Sequence, residues 1–263
     1  KSSVKEEANR MNNTVLAVET STDLLGVSVV NKRGVLSEVT TSRPRVHSAM
    51  LLPLSVEALR MADLAMDDID CFAVSQGPGS FTGLRIGCAS VQGMALALGK
   101  GVVKVPTFEV YLRQCKAYDN LAIVQGKAKG QTVCAYFERI ASFVSDEREF
   151  SCDYGFEEKV RIGPRTYTDF CEDLCKEPIE GPLWVTGDAA HEFSISASDL
   201  LPYEVRLVDE YLLLPKPGIV GLIGRRMFEQ GLAVAPSLVT PEYYRQSQAE
   251  VLFSERGDEG ERR

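Results

Sequence analysis

The sequence predicts a mixed-sheet α/β protein made of two related halves with helices packed on the sheets, and three observations lead there. Three β-type segments open the chain at 14–19, 24–30 and 35–41, strand and helix patterns then alternate, and the second half repeats that order more loosely. The polar stretches Thr20-Ser21-Thr22-Asp23 and Asn31-Lys32-Arg33-Gly34 separate the opening segments, which makes them an antiparallel meander. A helix at 48–62, a strand at 71–75, a helix at 80–98 and a strand at 102–105 complete the first half. In the second half, strands are expected at 121–124, 132–138, 147–152 and 183–186, with helices at 168–176 and 219–230. Gly163-Pro164, Gly181-Pro182 and Pro215-Lys216-Pro217-Gly218 act as breakers. The duplication is read from element order, since no sequence repeat accompanies it.

A length of 263 residues suits one large domain or two small ones sharing a core. Hydrophobic residues make up 44% and charged residues 25%, ordinary values for a globular chain. No apolar run reaches the roughly 18–20 residues of a membrane span, so none is expected. With 29 basic against 37 acidic residues the net charge is −8, which repels a phosphate backbone and argues against strong nucleic-acid binding by this chain alone. Seven cysteines are too few for a disulfide scaffold and odd in number, as suits a reducing compartment. Cys171 and Cys175 match no zinc spacing, and the string that begins at His191-Glu192 has Ile195 where a zinc protease needs its second histidine, so no metal site is expected. Residues 1–13 carry no targeting pattern and are expected to be a flexible extension in which Met11 is placed as an initiator, giving a cytoplasmic protein. The expected organisation is a first lobe at 14–110, a degenerate second lobe at 111–245 and a flexible charged tail at 246–263.

The most unusual stretch is 76–87, where Gly77-Pro78-Gly79 forms a turn and Ser80 is a suitable N-cap for the helix that follows. Its glycine spacing matches neither the dinucleotide fingerprint nor a phosphate-binding P-loop. Apolar residues surround that helix on nearly every side, and Gly79, Gly83 and Gly87 recur every four residues. A helix apolar all round packs on more than one body, so this stripe is expected to face a second subunit, with close packing inside the chain as the alternative. The helix at 48–62 is likewise apolar on more than one face. Together they give an expected partner interface of His47, Met50, Leu51, Leu54, Phe81, Gly83, Leu84, Arg85 and Gly87. The run Glu19-Thr20-Ser21-Thr22 is a hydroxyl-rich turn of the type that cradles phosphate in actin-like and sugar-kinase-like ATPases, but it carries Glu19 where those use Asp. The corresponding stretch of the second half, Gln125-Gly126-Lys127-Ala128-Lys129-Gly130, has no acid, so the pair reads as a vestigial nucleotide site.

Val15-Leu16-Ala17-Val18-Glu19-Thr20-Ser21-Thr22, His47-Ser48 with Leu51-Leu52-Pro53, the glycine motif at 77–87 and the closing Pro241-Glu242-Tyr243-Tyr244-Arg245 together resemble the bacterial TsaB (YeaZ) family. The likeness is concentrated in residues 14–109. It implies a duplicated actin-like, sugar-kinase-like fold and a non-catalytic subunit that pairs with TsaD, which with TsaE makes threonylcarbamoyladenosine in tRNA. TsaD carries a metal-binding H-x-x-x-H after the glycine helix, and the matching positions here hold Thr107 and Tyr111. Where the family has Asp-Ala-Arg, this chain has Gln125-Gly126-Lys127, and residues 128–165 align poorly.

The expected function is therefore a scaffold and activator, inactive alone, whose partners are a TsaD-like subunit and a TsaE-like ATPase. It reaches tRNA only through the complex, and the same helical face offers a homodimer contact. No cofactor is expected on the isolated chain, with ATP or ADP bound only weakly or at the partner interface. The alternative is a small-molecule kinase or ATPase of the same fold, motivated by Glu19 to Thr22. A peptidase lacks any Ser/His/Asp or zinc constellation.

Overall fold

A computed structural model describes residues 13–43, 45–128, 130–140 and 155–244. The opening meander is β1 (Val15–Glu19), β2 (Leu25–Asn31) and β3 (Gly34–Thr41), paired antiparallel; β4 (Cys71–Gly77) and β5 (Gly101–Pro106) then add in parallel on the other side of β1. The sheet order is β3-β2-β1-β4-β5. Every residue of β1 and β2 is buried, because helices cover both faces of the sheet. Side chains alternate between those faces. Leu16, Val18 and Val74 meet α1 (His47–Met61) and α2 (Phe81–Leu98), whereas Val15, Ala17 and Ala73 meet α6 (Pro217–Glu229). Each fully buried aliphatic side chain of this kind contributes about 1.5–3 kcal/mol relative to exposure.

The second sheet holds β6 (Asn120–Ala128), β7 (Gln131–Arg139), β8 (Phe156–Arg165), β9 (Leu183–Thr186) and β10 (Val205–Leu207) in the order β10-β9-β6-β7-β8. Read from its other edge this is the first sheet again: an antiparallel meander of three strands, then two parallel strands beside the first. The duplication of a mixed α/β unit is as expected, with the same strand order in both sheets. One face of the second sheet packs on α4 (Tyr167–Leu174) and α5 (Ala190–Ala197), with Phe170, Leu174 and Phe193 in the core. The other face receives Phe108, Tyr111 and Leu112 of α3 (Thr107–Gln114).

The helices that end the two halves cross over, and this corrects the expected lobe limits. A boundary between 110 and 111 cuts α3, whose Val110 packs with the first sheet while Tyr111 packs with the second. Helix α6, assigned to the second lobe at 111–245, lies on β1, β2 and β4 of the first lobe. Gly221 and Gly224 allow that contact: a Cβ at either would lie 2.4 Å from Val30 or Ala73. Ser28 Oγ donates to the Pro217 carbonyl, and Gly218 N–H donates to Glu38 Oε2 at 2.7 Å, fixing the start of the helix. The chain then returns along the first lobe, with Val234 and Val102 exchanging backbone hydrogen bonds. The strand expected at 147–152 and the terminal segments at 1–12 and 246–263 lie outside the described residues.

Candidate functional site

The hydroxyl-rich turn and the glycine helix meet. Ser80 caps α2 as expected, its Oγ accepting from Gly83 N–H at 3.2 Å, and its own N–H donates to the Ser21 carbonyl at 2.7 Å. The glycine stripe is the floor on which that turn lies. A Cβ on Gly79 would be 2.5 Å from the Ser21 carbonyl oxygen, one on Gly83 would be 2.1 Å from the Thr20 carbonyl oxygen, and one on Gly87 would be 2.2 Å from Thr20 Oγ1. Interior helical glycines cost roughly 0.5–1 kcal/mol each relative to alanine, and this close approach is the compensating contact.

Glu19, at the end of β1, is fully buried and accepts hydrogen bonds from Ser21 N–H and Ser75 Oγ. Burial pushes its carboxyl up to about 7 against the opposing pull of those hydrogen bonds. Across the lobe junction, buried Gln125 donates from Nε2 to Ser21 Oγ at 3.3 Å, and Gly126 N–H donates to Asp188 Oδ1 at 2.6 Å. The turn Glu19, Thr20, Ser21 and Thr22, where a vestigial nucleotide loop is expected, is thus buried throughout, with α2 on one side and a second-lobe side chain against it.

Several expected interface residues belong instead to the chain's own interior. Leu51, Leu54 and Leu84 are core residues, and Gly83 and Gly87 face Thr20. His47 donates from Nε2 to the Thr22 carbonyl at 3.1 Å, pinning the turn, and half-buried Met50 packs on the first-lobe core. Of the expected set, Arg85 is exposed and Phe81 is half-buried. The apolar residues that face outward are Ala49, Leu52 and Val56 on α1, with Met61 at its end, then Ala89, Gly93, Leu96 and Ala97 on α2, beside exposed Arg60 and Arg85. Leu52, Val56 and Met61 are 55–56% exposed and Leu96 is 74% exposed. Helical spacing carried the signal. Once 51, 54, 55, 58 and 59 are the core face, 52 and 56 fall on the opposite one.

Helix α2 has the length and apolar composition of a membrane span, with mean hydropathy 1.2, but carries Arg85 and buries one face on the first sheet. Thr107 and Tyr111 are buried on α3, and their hydroxyls have no hydrogen-bond partner among the described residues. Among the described residues no group of three or more His, Cys, Asp or Glu side chains is placed to hold a metal. The described cysteines are free thiols.

The profile of the family described as "TsaD: tRNA N6-adenosine threonylcarbamoyltransferase" matches residues 32–146. The tRNA threonylcarbamoyladenosine biosynthesis protein TsaB of Escherichia coli is 28% identical over 241 residues, covering 89% of this chain and 96% of that protein. TsaB of Bacillus subtilis is 26% identical over 211 residues, 77% of this chain and 92% of the relative. A crystal structure of a Pseudomonas aeruginosa protein described as similar to peptidase YeaZ superposes with a TM-score of 0.70 at 21% identity, over 89% of this chain and all of the other. With the glycine helix, the buried hydroxyl turn and the duplicated sheets already in place, the chain is similar to TsaB (YeaZ) proteins over most of its length and of theirs.

Proposed function

We propose that this protein is a non-catalytic subunit in tRNA threonylcarbamoyladenosine biosynthesis, docking a TsaD-like subunit on the outer faces of α1 and α2. The observation that carries the reading is the apolar stripe Leu52, Val56, Met61 and Leu96, left in solvent by the chain's own packing. Large apolar side chains left exposed on two adjacent helices in this way mark an interaction site. The names of full-length relatives support the pathway. Thr107 and Tyr111 are hydroxyls, poor ligands for a transition metal, which supports leaving the chemistry to the partner. A TsaE-like ATPase belongs to the same proposed assembly, tRNA is met through the complex, and the same face accounts for a homodimer of the free protein. A cytoplasmic location follows from that role.

Sedimentation of the protein with the TsaD-like subunit of the same organism tests this: a stable heterodimer is expected, and threonylcarbamoyl transfer only from the assembled complex. Transfer by the isolated chain would overturn the scaffold role. Tight calorimetric binding of ATP and magnesium by the isolated chain would favour a kinase instead.

A further inference from the structure

The segment after α6 runs back along α2 as a strap. Val234 pairs with Val102, Gln92 Nε2 donates to the Val239 carbonyl at 2.9 Å, and Glu242 N–H donates to the Gln76 carbonyl at 2.8 Å. Gln76 Nε2 also donates to Glu242 Oε2 at 2.9 Å. The strap brings Tyr243 to the N-terminal end of α2, where its ring stacks on Phe81 with centroids 4.5 Å apart. Arg85 lies over the Phe81 ring at 4.0 Å, and its Nε donates to Tyr243 Oη at 2.8 Å. Arg85 is exposed and makes no ion pair with any described carboxylate, and that hydrogen bond engages Nε alone. Its two terminal nitrogens therefore present free donors, held in one orientation by two rings. Arg85 also continues the outward stripe of α2, four residues before Ala89 and eight before Gly93.

We propose that Phe81, Arg85 and Tyr243 form a composite anchor that takes a carboxylate side chain of the docking subunit, with the strap as an integral part of the interface. This rests on the α1–α2 docking reading and adds to it the chemistry of one contact. Arginine and tyrosine are the residue types that dominate binding hot spots. A guanidinium fixed by stacking loses little further freedom when it forms a bidentate pair with a carboxylate. On a chain of net charge −8, an unpaired arginine at the end of an apolar stripe selects an acidic group on the other side.

Calorimetric titration of the TsaD-like subunit from the same organism into wild type, Arg85→Met, Tyr243→Ala and Tyr243→Phe tests the anchor. Arg85→Met and Tyr243→Ala are each expected to weaken association at least tenfold, and Tyr243→Phe by less, because it keeps the stack and loses one hydrogen bond. The salt dependence of binding should shrink in Arg85→Met, whose melting temperature should stay within about 2 °C of wild type, as for a surface substitution. Binding of both Arg85→Met and Tyr243→Ala within twofold of wild type would overturn the anchor while leaving the docking face intact. So would unchanged subunit affinity with loss of tRNA affinity alone, which would assign Arg85 to a phosphate. Failure of wild type to bind would overturn the docking reading and the anchor with it.

Discussion

The two lobes share a strand order and a device at the lobe junction, yet they dress their outer helices in opposite ways. In the first lobe Ser80 N–H donates to the Ser21 carbonyl at 2.7 Å, in the turn just after β1, and in the second Ala189 N–H donates to the Val124 carbonyl at 3.2 Å, within β6; each ties the start of a helix to the region of the lobe's first strand. Beyond that point the lobes diverge. Helix α2 runs 18 residues and shows solvent Ala89, Gly93, Leu96 and Ala97, whereas α5 runs eight and shows His191, Glu192, Ile195 and Ser196. The neighbouring helices differ likewise, with Leu52 and Val56 outward on α1 against Thr168, Asp169 and Glu172 on α4. The shared framework demands neither surface, and the more apolar one fits the docking proposed for it, whereas the second lobe's face is mixed, with Ile195 exposed among polar neighbours.

The largest effect should come from breaking that asymmetry directly. The double substitution Leu52→Asp with Val56→Asp places two charges where the docking reading puts a buried apolar contact. Truncating or charging a hot spot typically costs about 2–4 kcal/mol, so association with the TsaD-like subunit should fall by roughly 30-fold to 1,000-fold. Both side chains are more than half exposed, so the melting temperature should hold. Ile195→Asp, at a residue 75% exposed on the second lobe, should leave association unchanged. Equal losses at the two sites, read by sedimentation, would erase the distinction between the lobes.

Glu19 distinguishes the lobes at the junction, since the second lobe has no acid in the matching turn. Its carboxyl sits at about 7 in the folded chain because of burial, against an ordinary value of 4.5. The folded state therefore holds its proton over a range where the unfolded chain has released it. Stability from this group is full below pH 4.5, declines as pH rises from there, and is lost by about 7. The total amounts to about 3 kcal/mol at most, at 1.36 kcal/mol per pH unit. Glu19→Gln keeps an acceptor for Ser21 N–H and removes the titration. Urea midpoints between pH 5 and 8 should slope downward in wild type relative to this variant, and parallel profiles would show that Glu19 does not titrate in that window.

Much of the first lobe was legible in the sequence, less of the second, and the reasons are local. The meander and helices α1 and α2 fall within one or two residues of expectation, because they are long, periodic and bounded by polar turns or by the Ser80 cap. Helices α3 and α5 were missed: each has eight residues and no side-chain cap, with Pro106 and Ala189 at the N-cap. Strand β8 contains Gly163 and Pro164, read as breakers, but among the described residues it is the edge strand of its sheet, where proline is tolerated. At the site, the glycine stripe expected to face a partner lies against the chain's own interior. Glycine spacing announces that a backbone or small group comes close; it does not say whose, and here the visitor is Thr20 of the same chain.

That inversion can be tested on the glycine stripe itself. Gly87→Leu adds a side chain whose Cβ alone would fall 2.2 Å from Thr20 Oγ1. Overpacking of this kind costs about 1–3 kcal/mol, which at about 2–4 °C per kcal/mol lowers the melting temperature of the isolated protein by several degrees. The loss should persist at low protein concentration, where association contributes nothing. A normal melting temperature with weakened association would return Gly87 to the partner's side.

The smallest effect is the sharpest on orientation, because it has the opposite sign on the same helix. Gly93 is exposed, and a Cβ built on it meets nothing within 4 Å. It lies six residues beyond Gly87, which on a helix of 3.6 residues per turn places it about a third of a turn away round the axis. Gly93→Ala should therefore stabilise the isolated protein by about 0.5–1 kcal/mol, through helix propensity and a less flexible unfolded chain. Read as melting temperature this is about 1–4 °C upward, against a downward shift for Gly87→Leu. If the docking subunit approaches closely along the outer stripe, the same methyl group should weaken association while strengthening the fold. A gain in stability with unchanged association would mean that the partner passes Gly93 at a distance, leaving the contact to Leu52, Val56 and the Arg85 end of the stripe.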